Sequence, residues 1–114
     1  MVEYSLMNVD QDWGKSIYIM GKNAECFVRL YWLNKDANGD TAYLDMLYVD
    51  YPYRKQGIGR ALMLYCDSLV KEQGSRFCCL HAKKDSWLPA WYKAQGYKPR
   101  QAYDKDHIWL KKDL

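Results

Sequence analysis

The segment from Arg54 to Arg60 (RKQGIGR) holds residue types that bind phosphate. Gly57 and Gly59 let the backbone turn tightly, so several N–H groups can point to one place. Basic side chains surround the same point and pair well with phosphate oxygens. The segment therefore predicts a phosphate or pyrophosphate site. A glycine-rich turn whose basic side chains are only solvated is the structural alternative that these residues alone leave open.

Two common phosphate-binding motifs fit this segment poorly. A Walker loop requires Gly-x-x-x-x-Gly-Lys-Ser/Thr, and the segment does not follow that pattern. A dinucleotide fingerprint requires Gly-x-Gly-x-x-Gly. Gly57 and Gly59 match its first two glycines, but Leu62 stands at the third position.

Hydrophobic patterns place the segment between a strand and a helix. Thr41 to Val49 (TAYLDMLYV) is predicted as a strand that ends before Pro52. From Gly59 to Gln73 the apolar residues recur at helical spacing, and Gly74 stands where a glycine commonly follows a helix. The N–H groups of the segment would therefore lie at a helix N-terminus, where the helix dipole favours an anion.

The other elements predict a mixed sheet. Asp36 to Asp40 (DANGD) contains Asn-Gly, so the strands on either side should form an antiparallel hairpin. A strand–helix–strand unit in the middle of the chain implies one parallel pair. The order β-β-β-α-β-α-β thus predicts a mixed α/β, or α+β, fold. The remaining predicted elements are the strands Ser16 to Met20, Glu25 to Leu33, Phe77 to Ala82 and His107 to Lys111 and a helix from Ser86 to about Gln95.

Length and composition limit the class of protein. The chain has 114 residues, 49% hydrophobic and 27% charged, which predicts one globular domain over residues 1–114. A net charge of +3 is too small to indicate nucleic-acid binding. No segment reaches the roughly 20 apolar residues that cross a bilayer, and the N-terminus lacks the pattern of a signal peptide. The four cysteines form no Cys-x-x-Cys pair, so we expect no metal site and a reduced, cytoplasmic protein.

Two motifs in the proper order resemble the GNAT superfamily of N-acetyltransferases. Pro52 to Leu62 (PYRKQGIGRAL), after the strand residues Leu47 to Val49, is similar to the family's motif A, a strand, then Arg/Gln-x-x-Gly-x-Gly/Ala, then a helix. Trp91 to Tyr97 (WYKAQGY) is similar to its motif B signature, aromatic-Tyr-x-x-x-Gly-aromatic. The resemblance covers about half of the chain, from Thr41 to Tyr97. It implies a GNAT-like acyl-CoA N-acyltransferase fold, whose central, mostly antiparallel sheet is flanked by helices.

The resemblance implies that acetyl-CoA is the co-substrate. Gly57, Gly59 and the N–H groups around them would hold its pyrophosphate, and the backbone of Leu47 and Val49 would pair with the pantetheine arm. The motif A strand would splay from Phe77 to Ala82, and the arm would lie in the gap. The residues implied to contact the coenzyme are Leu47, Val49, Arg54, Lys55, Gln56, Gly57, Ile58, Gly59, Arg60 and Asp85.

The implied reaction is direct transfer of the acyl group to a primary amine in a ternary complex. Attack of a neutral amine on a thioester needs a proton acceptor for the amine and a proton donor for the departing thiolate. Tyr92 matches the family tyrosine that protonates the coenzyme A sulfur; a buried aromatic on the helix face is the structural alternative. Asp45 lies where many relatives carry a glutamate base. It is one methylene shorter than glutamate, so we expect it to act through a water.

The sequence departs from the family pattern in two places. Asp85 stands seven residues before Tyr92, where the family often has an asparagine that contacts pantetheine. Only about forty residues precede motif A, and they are predicted as strands. The pair of N-terminal helices that usually walls one side of the acceptor site is therefore expected to be missing or reduced. The acceptor cleft would then be open or completed by a second subunit, as in a homodimer.

Two other functions compete with the enzyme. A catalytically silent acyl-CoA-binding sensor or partner subunit is indicated by Asp85 and by the reduced N-terminal half. A nucleic-acid-binding domain is suggested by basic residues among aromatic ones, but the modest charge and the lack of an RNA-binding signature disfavour it. No motif names the amine acceptor or the length of the acyl chain.

Several further residues receive structural interpretations. His81, on a strand predicted to be buried on both faces, is interpreted as a core histidine with satisfied hydrogen bonds rather than as a base. Cys78 and Cys79 are interpreted as small core residues that point to opposite faces. Five aromatic residues are assigned either to a wall of the acceptor cleft or to a face covered by a partner subunit: Tyr31, Trp32, Tyr48, Tyr51 and Tyr53.

Overall fold

The computed structural model describes residues 2–36 and 39–114. These residues form one seven-stranded sheet against which two helices pack. Within these residues the strands are β1 (Tyr4–Gln11), β2 (Gly14–Gly21), β3 (Cys26–Leu33), β4 (Thr41–Val49), β5 (Phe77–Lys83), β6 (Lys98–Ala102) and β7 (His107–Asp113). The helices are α1 (Ile58–Glu72) and α2 (Leu88–Ala94), and a short 3-10 helix spans Tyr51–Tyr53.

The sheet is mixed and mostly antiparallel, as predicted. Its strand order is β1-β2-β3-β4-β5-β7-β6, and β4 and β5 form its parallel pair. The chain leaves β4, passes through α1 and returns to β5, so this pair is the crossover unit that the sequence implies. The α+β fold class is therefore confirmed.

Both helices pack on the same face of the sheet and bury the core against it. In α1 the buried residues Leu62, Cys66 and Val70 recur at helical spacing, in agreement with the predicted apolar stripe. Burial of one such aliphatic side chain contributes about 1.5–3 kcal/mol. The sheet residues that meet the helices alternate along the strands and include Ile19, Val28, Leu30, Ala42, Leu80 and Leu110.

The opposite face of the sheet has no helix over it in the part of the chain that the structure describes, and we call it the open face. Because α1 and α2 lie on one side, the expectation that β5 is buried on both faces is wrong. Its residues Cys78, Leu80 and Ala82 are buried, whereas Cys79 and His81 between them stay half-buried. The central residues of the open face are Arg29, Tyr31, Tyr43, Asp45, Cys79, His81 and Trp109.

Two strands, β1 and β6, are absent from the predicted order. Both lie at the edges of the sheet, and all five residues of β6 are exposed. In β1, six of the eight residues are exposed. A strand that buries neither face shows no alternation of apolar and polar residues, so the usual sequence signal is missing.

The helices begin and end close to the predicted positions. Gly74 and Gly96 follow them with φ angles of +82° and +99°, and Pro89 stands in the first turn of α2. That helix begins at Leu88 rather than at Ser86, whose hydroxyl accepts a hydrogen bond from the Leu88 N–H at 3.2 Å. Neither helix of the described residues has the length and apolar character of a membrane span.

The predicted hairpin between β3 and β4 is confirmed by their antiparallel pairing. The sequence predicts its turn at Asp36 to Asp40, with Asn38 and Gly39 at the centre. Ala37 and Asn38 lie outside the described residues.

Candidate active site

β4 and β5 separate part-way along their length. Their pairing runs from Thr41 and Phe77 to Tyr43 and Cys79 and covers three residue pairs. Beyond that point, residues 44–49 face a gap instead of a neighbouring strand. The predicted splay is therefore confirmed. An unpaired strand edge can hydrogen-bond an extended ligand as it would a further strand.

A β-bulge lies where the two strands separate. Met46 has a φ angle of +58°, in the left-handed region that a side chain rarely adopts. The register between β3 and β4 shifts at this place. A bulge bends a strand and increases its twist, so it turns β4 where the gap opens. Leu47 and Val49 beyond the bulge pack their side chains against the core, which leaves their backbone at the edge of the gap.

The turn before α1 forms an open cradle of N–H groups. Lys55 and Gly57 adopt left-handed φ angles of +62° and +78°. The N–H groups of residues 55–57 donate to no backbone acceptor among the described residues, and the first turn of α1 adds further unpaired donors. A Cβ atom on Gly57 would meet no atom within 4 Å, so the space before the turn is open. This arrangement fits a bound anion.

A groove of about 740 Å³ extends from the cradle along α1. Its lining includes Gly57 and Ile58 at the start of α1 and two aromatic residues, Tyr4 of β1 and Tyr65 of α1. The two tyrosine rings are stacked, with their centroids 4.4 Å apart. Aromatic side chains of this kind offer a surface on which a nucleotide base can stack.

The side chains of the loop fall into two groups. Arg54 Nε and Gln56 Nε2 each donate to a backbone carbonyl of the turn or of β4 at 2.9 Å, so these side chains stabilise the turn itself. Lys55 and Arg60 are exposed and can approach an anion in the cradle. Asp85 lies in the exposed turn between β5 and α2.

Tyr92 lies on α2 with its ring in the core, 6% exposed. Its ring centroid is 5.3 Å from that of Trp91 and 5.9 Å from that of Tyr97. Burial, with a smaller effect of the Cys78 thiol, raises the pKa of Tyr92 to about 12. The hydroxyl therefore keeps its proton at neutral pH, as a proton donor must.

Asp45 is held in a two-bond ion pair on the open face. Arg29, opposite it on β3, donates from Nε to Oδ1 at 2.8 Å and from Nη2 to Oδ2 at 2.5 Å. The hydrogen bonds to Asp45 raise the pKa of the Arg29 guanidinium. Because both carboxylate oxygens already accept from a cation, transfer of a proton to Asp45 would break the pair. The role of Asp45 as a base stays a prediction, and this geometry favours a positioning role instead.

His81 is half-buried on the open face, and its hydrogen bonds are not all satisfied. Its Nδ1 atom is buried and has no partner in the described part of the chain. The ring stacks on Tyr103 at a centroid distance of 4.1 Å, with the rings of His107 and Trp109 edge-on to it. The interpretation of His81 as a satisfied core histidine is therefore wrong, because no helix covers this side of β5.

The five aromatic residues assigned either to a wall of the acceptor cleft or to a face covered by a partner do not form one surface in the structure. Trp32 is buried on the helix side, where its indole N–H donates to the Ser75 hydroxyl at 2.8 Å. Tyr31 lies on the open face. Tyr48 and Tyr51 are exposed, and the Arg54 guanidinium lies over both rings. Adjacent strand residues point to opposite faces, so neighbours in sequence are separated by the sheet.

The cysteines and the metal-binding side chains show no further site. The four cysteines are free thiols, and burial raises the pKa of Cys78 to about 12, which makes it a poor nucleophile. Across residues 2–36 and 39–114, no three His, Cys, Asp or Glu side chains are arranged to hold a metal ion.

Comparisons with solved structures show the same fold in acetyltransferases. The IAA acetyltransferase from Bacillus cereus superposes with a TM-score of 0.73 at 13% identity, over 98% of this chain and 100% of the other. The PaiA N-acetyltransferase from Thermoplasma acidophilum, in complex with coenzyme A, gives 0.72 at 21% identity, over 87% of this chain and 60% of the other. The ribosomal-protein-S18-alanine N-acetyltransferase from Escherichia coli gives 0.67 at 19% identity, over 92% and 72%.

Comparison with family models identifies the family itself. A search of curated proteins finds no match. The family model described as an acetyltransferase (GNAT) domain matches residues 13–99. Because this match spans well over half of the chain, the chain belongs to the GNAT family of acetyltransferases.

Proposed function

We propose that the chain is an acetyl-CoA-dependent N-acetyltransferase that moves the acyl group directly to a primary amine in a ternary complex. The observation that supports the proposal is the gap between β4 and β5. The N–H cradle follows the end of β4, and α2 packs against both the cradle and β5. The arrangement offers an anion site, a strand edge that faces a gap and a protonated tyrosine on the helix beside them.

The residues around the gap would bind the coenzyme along its length. Acetyl-CoA supplies an activated acyl thioester when bound. The N–H groups around Gly57 would hold the pyrophosphate, and the exposed side chains of Lys55 and Arg60 would add charge. The backbone of Leu47 and Val49 at the edge of β4 would hydrogen-bond the pantetheine arm as an added strand, beside the bond that the Val49 carbonyl accepts from Arg54 Nε at 2.9 Å.

Tyr92 is the proposed proton donor. Negative charge develops on the sulfur as the carbon–sulfur bond breaks, and a phenol that is still protonated can stabilise that charge and protonate the thiolate. The raised pKa of Tyr92, about 12, keeps the hydroxyl in the required form. The hydrophobic surroundings of the ring hold the Tyr92 side chain in place.

A catalytically silent acyl-CoA-binding protein is the second candidate. The observation that favours it is the Asp45–Arg29 pair, which leaves the predicted base without a free oxygen. Such a protein would bind acetyl-CoA through the same cradle and gap but would transfer no acyl group.

An acceptor panel separates the two candidates. The purified chain and acetyl-CoA would be incubated with tyramine, lysine, spermidine, kanamycin and a peptide with an N-terminal alanine, and acetylated products would be measured by mass spectrometry. We expect product from at least one amine above the rate without protein. Binding of acetyl-CoA without product from any of them would support the silent binding protein.

Two further properties are proposed from the same evidence. We infer that the chain works in a reducing compartment such as the cytoplasm, because all four cysteines are free thiols. A homodimer that completes the acceptor cleft also stays a prediction. Light scattering coupled to size-exclusion chromatography would measure the mass of the particle.

A further inference from the structure

The two edge strands of the sheet differ in how they are protected against pairing with another chain. At one edge, β6 contains Lys98, Pro99 and Arg100, and its pairing with β7 is irregular. Proline, charged side chains and bulges are the features that keep an edge strand from adding a further strand. At the other edge, β1 has no proline, lysine or arginine, and it pairs with β2 without interruption over all eight residues. Its one charged side chain, Asp10, lies next to the end of the strand.

The backbone groups of β1 point alternately toward β2 and away from it. The Glu3 carbonyl accepts a hydrogen bond from the Lys22 N–H at 2.8 Å, and these two residues continue the register of β1 with β2. In an antiparallel ladder, such hydrogen-bonded pairs alternate with pairs that are not hydrogen-bonded. The outward-pointing N–H and C=O groups therefore belong to every second residue: Tyr4, Leu6, Asn8 and Asp10. No strand of the described residues lies on that side of β1.

A second copy of β1 matches these outward groups. If two copies run antiparallel about a two-fold axis at Met7, Tyr4 lies opposite Asp10 of the second copy and Leu6 lies opposite Asn8. Every one of these pairs joins two outward-pointing residues, so the four pairs across the axis are all of the hydrogen-bonded kind. A two-fold arrangement is self-complementary, and in this register no two like charges of β1 lie opposite each other.

The side chains at the centre of this register are apolar and exposed. Met7, on the open face, is 57% exposed, and Leu6, on the face that the helices cover, is 43% exposed. Met7 would lie opposite Met7 of the second copy in a pair that is not hydrogen-bonded. In such pairs the Cα atoms are only about 4.5 Å apart and the side chains are in contact. Pairing would therefore remove exposed apolar surface from water.

We propose that β1 is a dimerisation edge, at which two copies of this chain join their sheets through antiparallel β1 strands with Met7 on the two-fold axis. The joined sheet has fourteen strands, seven from each copy, and ends at β6 on both sides. Because β6 is protected, the assembly closes as a dimer instead of growing into a filament.

This interface is separate from the proposed reaction. Two strands, β2 and β3, lie between β1 and β4, so the dimer leaves the gap between β4 and β5 open to ligands. It is also a different surface from one that would complete the acceptor cleft. The proposal therefore stands or fails independently of the acetyltransferase activity.

The first test measures mass by light scattering coupled to size-exclusion chromatography, over a series of protein concentrations. We expect the wild-type protein to have the mass of two chains. Met7→Lys places two lysines opposite each other and should give the mass of one chain. Met20→Lys is the matched control, because Met20 is exposed on the same face but belongs to β2, and this variant should stay dimeric.

Two results of this test would overturn the proposal. One is a wild-type protein with the mass of a single chain at every concentration. The other is a Met7→Lys variant that keeps the mass of two chains, since the dimer would then use another surface. Circular dichroism checks that the variants are folded, and if Met7→Lys is not folded the cross-linking test below decides.

The second test uses introduced cysteines to read the register. In Met7→Cys, the two new thiols would lie opposite each other within the range of a disulfide. In Ser5→Cys, the two thiols would be four residues apart along the strands, about 14 Å, which is too far. A mixture of Ser5→Cys and Val9→Cys should cross-link, because position 5 lies opposite position 9 of the second copy.

Non-reducing electrophoresis after mild oxidation would show the cross-linked chains, with wild-type protein as the measure of background from its own four thiols. We expect a disulfide-linked dimer from Met7→Cys and from the mixture, and only background from Ser5→Cys alone. Cross-linking of Met7→Cys no greater than that of Ser5→Cys would contradict the proposed interface.

Discussion

A Cβ atom on Gly59 would lie 3.4 Å from the ring of Trp91 and 3.6 Å from the side chain of Val49. The glycine therefore allows α2 to pack directly against the start of α1 and β4. Tyr92 follows Trp91 on the same helix. One close contact thus positions the proposed proton donor relative to the proposed coenzyme site.

This contact predicts the effect of a larger side chain at position 59. Gly59→Leu should displace Trp91, destabilise the fold by about 1–3 kcal/mol and lower kcat, because overpacking shifts α2. Ala90→Leu is the control, since Ala90 is exposed on the same helix. Urea denaturation and product assays would measure both variants. Wild-type turnover in Gly59→Leu would show that the contact does not position Tyr92.

The cradle predicts a specific loss of coenzyme binding in Gly57→Leu. The new side chain would enter the open space before the turn and obstruct the N–H groups. Gly74→Leu is matched to it, because both glycines have positive φ angles and a Cβ atom on either would meet no atom within 4 Å. Both variants should lose about 1–2 kcal/mol of stability from left-handed backbone strain. Only Gly57→Leu should lose affinity for acetyl-CoA; equal affinities would place the pyrophosphate elsewhere.

Tyr92→Phe tests the proton donor. Removing the hydroxyl should lower kcat about 100-fold and leave the affinity for acetyl-CoA nearly unchanged, since the ring still fills the core. Tyr97→Phe is the control, because Tyr97 is buried in the same core, with its ring centroid 5.9 Å from that of Tyr92, and has no part in the proposed reaction. Stopped-flow or steady-state thiol release would give both rates. Equal rates for Tyr92→Phe and wild type would remove Tyr92 from the mechanism.

The raised pKa of Tyr92 also predicts the alkaline side of the pH profile. A phenol with a pKa of about 12 stays protonated well above neutral pH and loses its proton only as pH rises through that value. At saturating amine, kcat should therefore not fall between about pH 8 and pH 10 through ionisation of Tyr92. A decline with its midpoint near the ordinary phenol value of about 10 would contradict the burial of this hydroxyl.

Local patterns in the sequence predict the part of the fold that surrounds the site. The helical stripe of α1, the glycines at its two ends and the strand β4 all carry signals within a few residues of one another. The edge strands β1 and β6 have no such signal, because they expose most of their side chains. Their pairing depends on partners elsewhere in the sheet.

The sequence predicts those parts of the candidate site that depend on local backbone conformation. It does not predict the parts that depend on the register between strands. Gly57 and Gly59 are visible in the sequence because a turn of this shape requires small residues. The pair of Arg29 with Asp45 joins residues 16 apart and exists only because β3 and β4 meet in one register. The exposure of His81 depends on which face of β5 the helices cover. No local sequence pattern indicates which face that is.

The central claim is that the turn at residues 55–60 holds the pyrophosphate of acetyl-CoA. Titration calorimetry of the purified chain with acetyl-CoA, and with adenosine as a ligand that lacks phosphate, tests it most directly. We predict saturable binding of acetyl-CoA and no comparable binding of adenosine. Equal affinity for the two ligands, or no binding of acetyl-CoA, would contradict the claim.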